Sequence, residues 1–343
     1  MRIITFEGKP YQLGYVLGKQ AKTVFSRYII SSHHFTKLLP WRESDWLNSI
    51  DKQIQQHFPR IYNELQGLAD GCEQDYKDIL LWNCRGDLLP TGPEGCTSIA
   101  VRKTDRSIIA HNEDGDPNLR GHCFLLDARL DNDIRIFSFA YPGSIPGHTI
   151  CANSHGLVYT VNNIRLSEQG SGLPRMVVSR ALLETTNSSE FVDLLKKHQR
   201  SGGFHYTVAD TQTQQPLSVE APFQSVSVNK ANPISVHANH LVHTELENIK
   251  QNITESSQCR QNRMEVLTQQ LSGSIDEKKC FEILQDIEAD ALPIFRTEPD
   301  DPDEENTLAT GVFTLSDNSV EIQIYSMEDF NNPLQQTLSL AVI

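Results

Sequence analysis

Gly95-Cys96-Thr97-Ser98-Ile99-Ala100-Val101, followed after a short turn by Ser107-Ile108-Ile109-Ala110-His111-Asn112-Glu113-Asp114-Gly115, is where the chain changes character. Immediately before it, Leu89 to Glu94 reads Leu-Pro-Thr-Gly-Pro-Glu, and two prolines with a glycine in so short a span stop any helix or interior strand. Cys96 follows a glycine at the junction of this broken segment with the first β-type run, where a backbone can bend sharply and a thiol can sit at a strand end. The polar cluster His111 to Asp116 closes the second run and can hairpin back beside it.

Toward the N-terminus the pattern is helical. Leu13, Val16, Leu17, Ala21, Val24, Phe25 and Tyr28 recur at three- and four-residue spacing, and Ile54, Phe58, Ile61, Tyr62, Leu65 and Leu68 repeat it. Toward the C-terminus short strands dominate: Thr97 to Val101, Ser107 to His111, His122 to Leu130, Ile134 to Ala140 and Leu157 to Val161. Two helices follow, opening at Pro174 and near Ser188 or Ser189. Strands return at Phe204 to Asp210, Leu217 to Glu220, Ser225 to Val228 and Ile234 to Ala238. Helices at Gln258 to Leu271 and Glu277 to Ile287 precede strands at Gly311 to Leu315 and Val320 to Tyr325. Helices and strands in separate blocks predict a layered α+β domain rather than an alternating parallel sheet.

Composition narrows the function. The 343 residues are 38% hydrophobic, as expected of a folded globular chain, and a formal charge of -14 repels nucleic acid and anionic membranes alike. The N-terminus lacks an apolar signal core and no later stretch has the length to span a bilayer, so a cytoplasmic protein is expected. Seven scattered cysteines without a CxxC pair point to neither a disulfide framework nor a thiolate zinc cage. His237, His240 and His243 recur at every third position without accompanying thiolates, and no metal site is expected of them. The acidic run Glu298 to Glu305, with two prolines, reads as a solvated loop.

Gly95-Cys96-Thr97-Ser98 followed by Ala110-His111-Asn112-Glu113-Asp114-Gly115 resembles the self-processing N-terminal-nucleophile cysteine hydrolases related to acyl-coenzyme A:isopenicillin N acyltransferase. The His-Asn-Glu-Asp form is more similar to the hydrolases of β-alanyl amines such as carcinine. Weaker matches run in order through Tyr11 to Gly18, Glu64 to Gly71, Asn153 to Asn163, Gly172 to Leu183, Gly203 to Asp210 and His237-Ala238-Asn239-His240.

The resemblance implies a four-layer αββα sandwich spanning 1–343 as one domain. It further implies a cut between Gly95 and Cys96, leaving a helical fragment 1–95 bound to a strand-rich catalytic fragment 96–343. Cys96 would then own a free α-amino group, with a reference pKa of about 7.7 to 8.0, and supply nucleophile and base from one residue. Its thiol attacks an amide carbonyl to form a thioester. By the same resemblance Asn239 and Asn163 stabilise the oxyanion, and Asp114 holds the cysteine's amine and thiol. Glu113 is a candidate for the ammonium of an amine substrate. His111 replaces the arginine of the bile-salt hydrolases and is a supporting or binding residue. A site arginine that some relatives contribute near the C-terminus finds no match at Ala309-Thr310. The expected activity is hydrolysis of a small N-acyl or aminoacyl amide without cofactor or metal. Acyl transfer to an amine and a non-catalytic binding scaffold are the alternatives, and association with further copies of the chain stays open.

Overall fold

The computed structural model describes residues 1–89, 95–269, 275–288, 292–298, 303–328 and 334–341. The chain opens on a strand, β1 (Arg2–Gly8), and continues through α1 (Pro10–Arg27), α2 (His33–Leu38), α3 (Asp45–His57), α4 (Pro59–Cys72), α5 (Tyr76–Asn83) and α6 (Arg85–Leu88). Strands β2 (Cys96–Arg102), β3 (Ser107–Gly115), β4 (Phe124–Leu130), β5 (Arg135–Ala140), β6 (Cys151–Asn153) and β7 (Leu157–Ile164) follow. Next come α7 (Arg175–Leu182), α8 (Ser188–Lys197), β8 (Gly203–Asp210), β9 (Leu217–Pro222), β10 (Ser227–Lys230) and β11 (Ile234–His237). The chain ends with α9 (Glu255–Gln269), α10 (Glu277–Leu284), β12 (Asn306–Ser316), β13 (Ser319–Ser326) and β14 (Leu334–Ala341).

The blocks predicted from periodicity are present, with differences that include two strands not expected, β6 and β14. The single helical run expected over Ile54 to Leu68 is two helices, because Pro59 carries no amide hydrogen to continue α3 and instead starts α4. The N-terminal segment is not purely helical, since β1 pairs in parallel with β4, residue for residue from Arg2↔Phe124 to Gly8↔Leu130. The helix expected to be capped near Ser188 or Ser189 is capped by Asn187, whose side chain accepts from the Glu190 amide. The break expected at Pro90 to Glu94 lies outside the described residues.

The strands form two sheets, one ordered β1-β4-β5-β6-β7-β8-β9-β10 and one ordered β11-β2-β3-β12-β13-β14. Strands β7 and β8 of the first face β2 and β3 of the second. Helices α1 and α8 pack on the first sheet, whereas α9 and α10 pack on the second, against β11, β3 and β12. The fold is thus mixed α+β, with helices on the outside of two facing sheets. Among the described residues no helix is long and apolar enough to cross a membrane.

Four glycines explain how closely α1 and α4 approach. A Cβ at Gly14 would lie 1.9 Å from the Glu64 carbonyl oxygen, at Gly18 2.3 Å from that of Leu68, at Gly67 2.0 Å from that of Tyr11, and at Gly71 2.1 Å from that of Tyr15. No side chain fits there. The pair is tied to the rest of the chain through Glu64, fully buried, which accepts from Arg180 Nε of α7 at 3.1 Å.

Because both faces of β2 and β3 are covered, strand parity decides which neighbours each side chain meets. Ile99, Val101, Ile108 and Ala110 belong to the apolar cluster shared with Met264 of α9 and Ile283 of α10. The alternate set, Cys96, Ser98, His111 and Glu113, faces the other sheet, where Ser98 Oγ meets Thr160 and Asn162 of β7. The space between the sheets is therefore polar along this line.

Candidate active site

Cys96 is the first residue of β2 and is paired with Glu113 of β3 in antiparallel register. Its thiol, on a residue only 4% exposed, lies 3.3 Å from Glu113 Oε2. Glu113 is gripped from several sides. Tyr141 Oη donates to Oε1 at 2.7 Å, Thr149 Oγ1 donates to Oε2 at 2.5 Å, and His111 Nε2 stands 3.2 Å from Oε2. Neighbours on a strand point to opposite faces, and that rule sends Asp114 to the far side of the sheet from the thiol. There Asp114 Oδ1 accepts from Thr307 Oγ1 at 2.7 Å, while Oδ2 is buried without a hydrogen-bond partner. Among the described residues no hydrogen bond links the Asp114 carboxylate to the thiol. Glu113 is 5% exposed and lines the cleft.

The bond before Cys96 is held by groups on both faces. The Asp114 amide donates to the Gly95 carbonyl at 3.0 Å, and the Cys96 amide donates to Asn239 Oδ1 at 2.9 Å. Arg260 of α9 donates through Nη1 to the Cys96 carbonyl (2.6 Å) and to Thr97 Oγ1 (2.9 Å), and through Nη2 to Asn239 Oδ1 (2.8 Å). Asn239 spends its remaining group on the Asn163 carbonyl, 3.0 Å away. Asn163 lines the cleft, and its side-chain oxygen accepts from Arg175 Nη1. In this arrangement Asn239 positions the Cys96 backbone, and both asparagines predicted as oxyanion donors lie beside Cys96.

A buried charge cluster lies beneath Gly95. Glu305 accepts from Arg165 Nη2 at 2.9 Å and from Arg296 Nη1 at 2.7 Å, and a Cβ on Gly95 would lie 2.1 Å from Glu305 Oε2. Glu305 had been assigned to a solvated acidic loop; the structure buries it completely, because two arginines meet it there. Residues 299–302 of that run lie outside the described residues. No arginine stands at Ala309-Thr310, and the arginine that the structure sets against Cys96 is Arg260. Arg260, Arg296, Arg165 and Glu305 carry no local motif, and only their unusual fate of complete or near-complete burial marks them.

Burial dominates the electrostatics. It pushes the Cys96 thiol well above its ordinary value, with Glu113 and Asp114 adding to the rise and Arg260 opposing it. Burial raises Asp114 as well, against the pull of Arg260 and Arg296. Glu305 is pushed up to about 7 by burial, with Arg165, Arg296 and Arg260 opposing. The thiol is thus protonated at rest, and its activation needs a nearby base or a new positive charge.

A cleft opens onto Cys96 and Glu113. Its walls include Trp82, Tyr141, Val161, Met176 and Phe204, with Arg85, Asp116, His34 and His148 as polar members. Asp116 accepts from Tyr28 Oη, and Arg85 lies 4.5 Å from the Trp82 ring. The histidines 237, 240 and 243 do not converge. His237 and His243 turn to Glu220, at 2.8 and 3.9 Å, and His240 turns to Ser257 Oγ at 2.8 Å.

The family model for acyl-coenzyme A:6-aminopenicillanic acid acyl-transferase matches residues 101–328. A β-alanyl-dopamine/carcinine hydrolase of Drosophila melanogaster is 26% identical over 220 residues, 57% of this chain and 57% of that one. The 40 kDa form of acyl-coenzyme A:6-aminopenicillanic-acid-acyltransferase of Emericella nidulans is 24% identical over 288 residues, 81% of this chain and 79% of that one. The chain thus spans little more than half the length of the Drosophila relative. Among solved structures, a Gly-1 mutant of Anbu from Hyphomicrobium sp. strain MC1 aligns at TM-score 0.25 and 6% identity, over 72% of this chain and 88% of that one. A likeness that weak carries no argument.

Proposed function

Because the chain belongs to the acyl-coenzyme A:6-aminopenicillanic acid acyl-transferase family, a family with hydrolase and acyltransferase relatives, we propose that it is a self-processing cysteine amidohydrolase of the four-layer αββα type. It is one domain, cut between Gly95 and Cys96 into fragments 1–95 and 96–343 that remain associated. The observation that carries this reading is the placement of Cys96. It opens a strand with its thiol against one carboxylate, its preceding carbonyl on a backbone amide, and its own amide on a side-chain acceptor.

In the uncut chain Cys96 has no free amine, so the thiol proton needs another acceptor. Glu113 Oε2 is in reach at 3.3 Å. Cys96 Sγ attacks the Gly95 carbonyl carbon as its proton passes to Glu113, and the Asp114 N–H stabilises the oxyanion. The C–N bond then breaks, the proton returns to the Cys96 nitrogen, and water hydrolyses the Gly95 thioester. The liberated amine gives Asp114 Oδ2, now without a partner, a cation to bind. Placed beside the thiol, that charge lowers the thiol pKa, and in its neutral form the amine takes the thiol proton in turnover. A substrate carbonyl entering the cleft is attacked by Sγ, its amine leaves, and water releases the acyl group. The side-chain amides of Asn163 and Asn239 serve this second oxyanion, the latter by turning Nδ2 away from the Asn163 carbonyl that it holds at 3.0 Å.

Small N-acyl or aminoacyl amides suit the cleft, whose aromatic and aliphatic walls carry Glu113 and Asp116 for an ammonium. The name of the Drosophila relative makes aminoacyl amines the first class to assay. Intact-mass analysis tests the reading. Wild type should give two fragments divided before residue 96 and Cys96→Ala one chain, whereas an uncut wild type with full amidase activity overturns it. Adding a free amine distinguishes hydrolysis from acyl transfer by whether a new amide forms.

A further inference from the structure

The protons around His111 can be assigned one by one. Asn162 Nδ2 donates to the His237 carbonyl at 3.1 Å, so Asn162 Oδ1 is the oxygen that faces Ser98, at 2.6 Å. An oxygen pair that close needs a hydrogen, and only Ser98 can supply it. Having spent its one proton, Ser98 Oγ accepts from His111 Nδ1 at 2.8 Å. In the neutral ring, Nε2 is then a lone pair. It is fully buried and faces Glu113 Oε2 at 3.2 Å and Thr149 Oγ1 at 3.4 Å. Thr149 directs its own hydrogen to Glu113 Oε2 at 2.5 Å. Two acceptors therefore confront each other, with Cys96 Sγ 3.3 Å from the same carboxylate oxygen.

We propose that Cys96 Sγ, His111 Nε2 and Glu113 Oε2 form a binding site for a thiophilic divalent cation of the Zn²⁺ class, which caps the nucleophile and reversibly switches the enzyme off. The three ligand atoms lie within 4.8 Å of one another. Tetrahedral zinc with ordinary bond lengths sets nitrogen–oxygen, sulfur–oxygen and sulfur–nitrogen separations of about 3.4, 3.6 and 3.6 Å; the first two stand at 3.2 and 3.3 Å, and sulfur and nitrogen, within 4.8 Å of each other, close on the ion as it binds. His111 already has the ligating tautomer, and the Ser98 oxygen that accepts from Nδ1 is the kind of outer partner that orients a metal-bound imidazole. Tyr141 Oη holds the other carboxylate oxygen in the same way, at 2.7 Å. Binding forms a Zn–S bond and releases the thiol proton to solvent. Resting on the cleavage reading above, the site gains a fourth ligand on maturation, because a terminal Cys96 offers amine and thiolate together as a five-membered chelate. A peptide nitrogen cannot ligate this way, so the processed enzyme binds the cation more tightly than the precursor.

Processed wild-type protein, stripped with a chelator and desalted, is titrated with Zn²⁺ under equilibrium dialysis and, in parallel, with Co²⁺ in a spectrophotometer. The expected result is one Zn²⁺ per chain, a thiolate-to-cobalt charge-transfer band in the near ultraviolet, and at least tenfold loss of amidase activity that a chelator restores. His111→Gln should weaken Zn²⁺ binding at least tenfold by dialysis, and alkylation of Cys96 in the wild type should abolish the cobalt band without any change of sequence. Wild-type protein that binds no stoichiometric Zn²⁺, or whose binding survives alkylation, overturns the proposal and means that a shared proton alone bridges His111 and Glu113. Fragment masses and turnover of the metal-free protein report separately on the function itself.

Discussion

Gly95→Ala changes one hydrogen into a methyl group at the bond proposed to be cut. Gly95 does not have a positive φ, so alanine's backbone preference costs nothing there and the effect is steric. The new Cβ would lie 2.1 Å from Glu305 Oε2 and 3.0 Å from its carboxyl carbon, and the first contact must open by about 1.3 Å to become ordinary. Glu305 cannot swing aside freely, because it is fully buried and held by Arg165 and Arg296 at 2.9 and 2.7 Å. If Glu305 yields, two buried ion pairs are disturbed, a loss on the order of 3 kcal/mol. If Gly95 yields, its carbonyl leaves the Asp114 N–H, and losing an oxyanion donor slows such chemistry by about 100-fold or more. The variant should therefore show a lowered urea midpoint, slowed self-cleavage, or both. A time course of intact mass after synthesis, beside urea unfolding of the same samples, measures the two effects. Glu305→Asp in the Gly95→Ala background shortens the obstructing side chain and should restore part of the cleavage rate. Wild-type cleavage kinetics together with an unchanged midpoint in Gly95→Ala would refute the packing described beneath the scissile bond.

Gly14→Ala puts a Cβ 1.9 Å from the Glu64 carbonyl oxygen, and should destabilise the protein by about 2 kcal/mol net, overpacking outweighing the better helix propensity of alanine; urea unfolding reads it. Arg180→Met leaves Glu64 buried without its guanidinium partner, at a cost of about 3 to 5 kcal/mol, and should let fragment 1–95 separate from 96–343 on size exclusion at urea concentrations where wild-type fragments stay together. His240 is lowered to about 4 by burial, His237 and Arg260, with Glu220 and Glu265 opposing. The folded state keeps this ring neutral while the unfolded chain protonates near 6.5, so its contribution is whole above that pH and falls by about 2 kcal/mol on going down to pH 5. His240→Asn should flatten the decline of unfolding free energy with falling pH, and an unchanged slope would remove the assignment.

The strand junction at Cys96 and its hairpin partner were legible in Gly95-Cys96-Thr97-Ser98 and in His111 to Gly115, because a glycine–cysteine junction and a polar strand end are local signals. The role of Glu113 was not. Strand parity separates it from Asp114, but the carboxylate that the family resemblance points to is Asp114, whereas the one the structure sets against the thiol is Glu113; both faces of β3 are covered and neither neighbour is exposed. Arg260 and Arg296 look like ordinary helix and loop charges in the sequence, and each has a partner distant along the chain: Cys96 for the first and Ser256 for the second. Strand β1 was missed for a similar reason. Arg2–Gly8 has only Ile4 fully buried, and the partner that makes it a strand is β4, more than a hundred residues on.

The groups that clasp the Gly95–Cys96 linkage come late in the polypeptide: Asn239 and Arg260 arrive well after the residues they hold, and Glu305 later still. A nascent or prematurely terminated product carries Cys96, Glu113 and Asp114 without the late groups that hold the linkage between them. If the cut proposed at this bond needs that clasp, scission waits on assembly, and a cleaved molecule reports that its C-terminal half was made and docked.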